Sequence, residues 1–273
     1  MTQTDKAAVL LIRARRGLAL WGALLFGLTT LGVVWLRASG VDPAEGFSPA
    51  IIIIAYSPSL AALVTAGVLG KWKAVKQLVR PIGRWRVKPR YYAFAILLPF
   101  VILGLAHFLW RLGGGEAGVA WLDVAGLAPG LGAIIAGSLG EEIGWRGFAQ
   151  PLLQRKLTIF WASVVVGLLW ATWHCWPLFA PGGHEQGWLL DVGLTYLRLV
   201  STAVLYGWLF NVSGGSLLLV MLAHAAHNVA VTSMPVPETA HGLGVLVAVL
   251  YFIAAVALGI VARRQLFTHG TKL

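Results

Sequence analysis

Glu141 and Glu142 stand side by side in the string Glu141-Glu142-Ile143-Gly144-Trp145-Arg146, inside a long apolar stretch. Ionised groups in such a segment are costly, and they mark substrate, proton or ion sites. Two further polar clusters interrupt apolar sequence downstream. One is His174, in Trp170-Ala171-Thr172-Trp173-His174; the other is His224-Ala225-Ala226-His227-Asn228. Carboxylates and imidazoles together suit either general acid–base catalysis or proton-coupled transport.

The elements that position these groups follow from composition. Of 273 residues, 58% are hydrophobic and 11% charged, against about 25% charged in soluble domains. Mean hydropathy is +0.79. The chain is expected to be all-α, a single transmembrane domain over 1–273 that crosses a cell membrane many times. Eight apolar runs have crossing length: 17–36, 48–69, 91–110, 126–148, 158–179, 189–210, 215–233 and 242–262. The motif-bearing core is about 126–233. The single cysteine, Cys175, excludes an internal disulfide framework. Residues 1–16 show no small-residue cleavage pattern, so the first helix is expected to act as the insertion signal.

Net charge is +11, and topology accounts for it without nucleic acid. The eight runs place Arg13, Arg15, Arg16, the eight basic residues of 71–90, Arg155, Lys156, Arg263 and Arg264 on one side. Arg37 and Arg111 fall on the other, with Asp42, Asp123 and Asp191. The positive-inside rule then predicts eight helices with cytoplasmic N- and C-termini. The 71–90 loop reads as a topology determinant with interfacial aromatics.

A turn near Lys156 joins the runs carrying Glu141 and His174 and puts both at one depth, about 25 Å from it. His224 and Asn228 reach a similar depth on the seventh run. The three clusters are therefore expected to meet, with the site opening to the cytoplasmic side of that turn. Arg146 is four residues after Glu142 and shares its helix face, so these two are expected to pair, leaving Glu141 free. His227 reads as an interhelical hydrogen bonder. Arg198, in the sixth run, is expected to pair with a carboxylate of the Glu141 helix; a substrate carboxylate is the other reading. Pro58 is expected to kink the second helix.

These residues resemble the CPBP family of intramembrane proteases, which includes type II CAAX prenyl endopeptidases and bacteriocin-processing proteins. The family's EExxxR motif matches Glu141 to Arg146. Its FxxxH motif matches Trp170 to His174, with Trp in place of Phe, and its HxxxN motif matches His224 to Asn228. The resemblance implies an enzyme, a CAAX-protease-like (metallo)endopeptidase. Its substrate would be a membrane-associated protein or peptide, a prenylated CAAX protein included. It further implies that Glu141 and His174 activate water while His224 and Asn228 hold the oxyanion, with Glu142 and Arg146 in support. Glu141, His174 and His224 would also form a catalytic-type ligand set for a divalent metal such as zinc, and the sequence leaves metal-based and glutamate-based mechanisms both open. A proton-coupled transporter is the competing class, and it lacks support from any inverted repeat. A non-catalytic immunity or partner protein of the same fold is the third.

Overall fold

The computed structural model describes residues 3–43, 46–115, 121–123, 132, 137–138, 140–183, 188–237 and 240–268. Every regular element among them is helical. The long helices are α1 (Gln3–Ser39), α2 (Pro49–Val79) and α3 (Pro89–Leu112). A π-helical segment, Ile143–Ala149, runs into the short α4 (Gln150–Leu153). There follow α5 (Ile159–His174), α6 (Trp188–Val212), α7 (Leu217–Ser233), α8 (His241–Val261) and α9 (Arg263–Leu266).

Starts of helices follow local chemistry. Ser48, Thr158 and Ser216 each accept a backbone N–H of the first turn of α2, α5 and α7, satisfying donors that a helix start leaves open. Pro58 has no N–H for the Ile54 carbonyl, and the Ser57 hydroxyl donates to that oxygen instead, at 2.7 Å.

Six of these helices are long and apolar enough to cross a membrane, and α7 is a shorter apolar helix. The expected run 126–148 lies for most of its length outside the described residues. The outer surface of the bundle is apolar: Leu31, Val68, Val101, Ile253 and Ile260 are all exposed. Such a surface requires hydrocarbon around it, and the chain is a multi-pass membrane protein.

The two ends of the bundle differ in charge. At one end Arg84 donates to the Gly214 carbonyl, Ser216 donates to the Arg84 carbonyl, and the Ile159 amide donates to Thr268. That end gathers the 71–90 segment, the Lys156 turn and α9. At the other, Arg37 donates to the Phe179 carbonyl and the Asp123 amide to Ser233. The segregation read from sequence is thus carried by contacts. At the basic end α2 breaks at Lys71, whose φ is 55°, and the chain beyond exposes Trp72 and Trp85, as an interfacial segment does.

Close approaches place the Glu141 strand of chain. A Cβ at Gly144 would collide with the Pro58 backbone, so the π-helical segment seats directly against α2 at Pro58. A Cβ at Gly207 would collide with the Ser163 hydroxyl, which lets α5 lie tightly along α6.

Candidate active site

The π-helical segment begins just after Glu142. Single-turn π insertions shift the helix face and recur at functional sites. Here Trp145 turns into the core, edge-on to Trp21 at 5.2 Å, while Glu141 and Glu142 turn toward α5 and α7. Trp173 donates to both the Thr29 and Ser57 hydroxyls, at 3.0 and 3.1 Å. This buried knot locks α1, α2 and α5 together directly behind His174.

The three clusters meet. His174 Nε2 lies 3.9 Å from Glu141 Oε2, and His224 Nε2 lies 3.8 Å from Glu141 Oε1. Both gaps are too long for a hydrogen bond and short enough for one water to bridge. The Trp170 indole donates to Glu141 Oε2 at 2.6 Å and fixes the carboxylate between the two imidazoles. Behind it, Glu142 Oε1 takes Arg146 Nη1 at 2.8 Å and faces His224 Nδ1 at 2.9 Å. The expected Glu142–Arg146 pair is present, and Glu142 also orients His224. Arg146 is wholly buried, with its guanidinium over the rings of Trp170 and Tyr206 at 4.4 and 5.1 Å.

Asn228 sits one turn past His224, half-buried. Among the described residues its side chain meets none of the other three at hydrogen-bond distance. His227 faces the Tyr251 hydroxyl at 2.7 Å, the interhelical bond expected of it. Arg198 forms no ion pair with a described carboxylate, because Glu141 and Glu142 are engaged with His174, His224 and Arg146. The expected pairing of Arg198 with the Glu141 helix is therefore corrected. Sequence reasoning missed two supporting groups. Trp170 enters the sequence only as the aromatic of the second motif, and Tyr206, whose hydroxyl donates to the Ala223 carbonyl at 3.0 Å, carries only the signal of a polar-tipped aromatic within a crossing.

Glu141 Oε2 is committed to the Trp170 N–H, and its two oxygens face different imidazoles. Among the described residues, no group of three His, Cys, Asp or Glu side chains is arranged to hold a metal ion. Glu141, His174 and His224 are the residues that would hold a divalent ion, one carboxylate between two imidazoles.

The open side also departs from expectation. His174 closes α5 at its C-terminal end, and 35% of its side chain is exposed there. Toward the Lys156 turn the cluster is sealed by buried Trp170, Arg146 and Gln150, with Gln150 donating to the Ser163 hydroxyl at 3.0 Å. Among the described residues, the exposed part of the cluster, His174, lies away from that turn.

Residues 123–230, which carry the whole cluster, match the family model described as type II CAAX prenyl endopeptidase Rce1-like. Over these residues the chain is similar to the CPBP proteases. Over 105 residues the chain is 27% identical to a CAAX prenyl protease 2 of Methanococcus maripaludis, covering 37% of this chain. The match spans 38% of that relative's length. All three family motifs fall inside the matched region and converge on the one carboxylate.

Proposed function

We propose that the chain is an intramembrane endopeptidase that cleaves a membrane-associated protein or peptide with water activated by Glu141 and His174. The observation that carries this reading is the Glu141 carboxylate facing His174 and His224 at 3.9 and 3.8 Å. Glu141 takes a proton from a water held with His174, and the hydroxide adds to the scissile carbonyl. His224 and Asn228 meet the developing oxyanion. Ionised Glu142 only accepts, so His224 Nδ1–H donates to it; a second proton on Nε2, donated to the oxyanion, makes His224 an imidazolium. Two carboxylates, Arg146 and that imidazolium sum to zero charge, which a low-dielectric interior favours. The C–N bond breaks as the proton held by Glu141 passes to the leaving nitrogen.

The test is a survey of protein C-termini and membrane peptides in cells with wild type or Glu141→Ala. Cleaved membrane-associated products appear with wild type alone. Identical sets of termini, together with a Glu141-dependent proton flux in proteoliposomes, would make the protein a carrier instead.

The proposal includes eight crossings, with 126–148 supplying one, and both termini with the basic end in the cytoplasm. The open side of the site then belongs to the opposite half of the bilayer. A peptide anchored in the outer leaflet meets it directly, whereas a cytoplasmic prenylated CAAX protein does not. In a Cys175→Ala background, an impermeant maleimide is expected to label Asp191→Cys in intact cells and Lys73→Cys only in inverted vesicles. The reverse pattern would return the cytoplasmic CAAX substrate.

A further inference from the structure

A groove of about 430 Å³ lies at the basic end of the bundle, lined by Trp72, Lys73, Lys76, Gln77 and Arg80. It exists because α2 changes direction there. Lys71 has a φ of 55°, a conformation strained for a residue with a side chain, and a Cβ at Gly70 would collide with Ala74. Beyond the break the helix has two faces. Ala74, Val75 and Leu78 pack against the core, which holds the segment in place. Lys73, Lys76, Gln77 and Arg80, spaced three and four apart, share the other face and are exposed.

Depth decides what meets this face. From Pro49 to the break α2 rises about 33 Å at 1.5 Å per residue, and a hydrocarbon core is about 30 Å thick. The groove therefore stands at the level of lipid phosphates. Val68 and Leu69, just before the break, are exposed in the adjoining hydrocarbon. Trp72 is exposed at the boundary itself, where indoles settle. Charge decides which headgroup fits. The segment 71–90 holds eight basic residues and no acidic one, and Lys76 Nζ is folded back to 5.7 Å from the Trp72 ring. Orientation in the membrane needs only charge on this side. It does not need three cations grouped on one helix face around a groove.

We propose that this groove binds the headgroup of one anionic phospholipid. Lys73, Lys76 and Arg80 hold its phosphate, and its acyl chains run past Trp72 onto Val68 and Leu69. Arg80 offers a planar fork to two phosphate oxygens, and the lysines act as point charges. A zwitterionic lipid brings an ammonium of its own, which the three cations repel; an anionic lipid does not. The site is separate from the Glu141 cluster and does not depend on the reaction performed there.

The test uses the full chain in detergent, with bound lipid counted by native mass spectrometry. Phosphatidylglycerol and phosphatidylcholine with identical acyl chains are titrated in parallel. Phosphatidylglycerol is expected to bind about tenfold or more tightly, as a cluster of cations at a lipid surface allows. Lys73→Gln with Lys76→Gln and Arg80→Gln is expected to bring the ratio to about one. Arg86→Gln with Lys88→Gln and Arg90→Gln removes as much charge from the same segment outside the groove and is expected to keep the preference. Lys73→Arg with Lys76→Arg should also keep it. Each ratio is internal to its variant, so a change in fold that weakens both lipids leaves it readable. Glycerophosphoglycerol, the same headgroup without acyl chains, is expected not to displace the lipid. Equal binding of the two lipids by the wild-type chain overturns the site. Equal loss in the two triple variants would leave only the net charge of the segment, and displacement by glycerophosphoglycerol would make it a site for a free phosphate; either result sinks the proposal.

Discussion

Replacing Glu141 with Ala is expected to lower proteolysis of a membrane-anchored reporter by about 10³-fold or more, the range for losing a positioned general base. His174→Ala falls in the same direction through the loss of the second group on the water. His224→Ala and Asn228→Ala are each expected to cost about 10²- to 10³-fold, as for removal of one oxyanion donor. His227→Ala is the informative contrast. Its ring is occupied by the Tyr251 hydroxyl at 2.7 Å, on a helix turn facing α8 rather than Glu141, so it should spare the chemical step. Rates are read in detergent or proteoliposomes on variants that insert and melt normally. An inactive His227→Ala beside an active His224→Ala would reverse the assignment on α7.

Arg146→Ala is expected to produce the largest loss of stability. Glu142 and Arg146 are both fully buried and 2.8 Å apart. Removing the cation strands a buried carboxylate, which costs about 3–5 kcal/mol. The guanidinium also leaves the rings of Trp170 and Tyr206, at 4.4 and 5.1 Å, where a desolvated cation–π contact contributes about 2 kcal/mol. Its Nε and Nη2 have no hydrogen-bond partner among the described residues, so the rings are what compensates their burial. Thermal unfolding in detergent measures the effect. Glu142→Ala with Arg146→Ala should cost less than the two single changes added together, because the second removal no longer strands a charge. A wild-type melting curve for Arg146→Ala would end the structural role.

The amino-acid sequence by itself determined the helical class, the membrane setting and the identity of the cluster. Hydrocarbon thickness requires runs near 20 apolar residues, and seven of the eight such runs coincide with described helices. Spacing four apart determined the Glu142–Arg146 pair, because i and i+4 share a face whatever surrounds the helix. Equal distance from the Lys156 turn determined that Glu141 and His174 would meet, since rise per residue fixes depth. Rotation of one helix about its axis against another leaves no such trace in hydropathy. Only the tertiary structure decided that Trp170 holds Glu141 and that Glu142 serves His224 as well as Arg146. It alone decided which end of the cluster is open. That depends on His174 falling at the end of α5 while Trp170, Arg146 and Gln150 stack beneath it, and packing across helices settles such a choice.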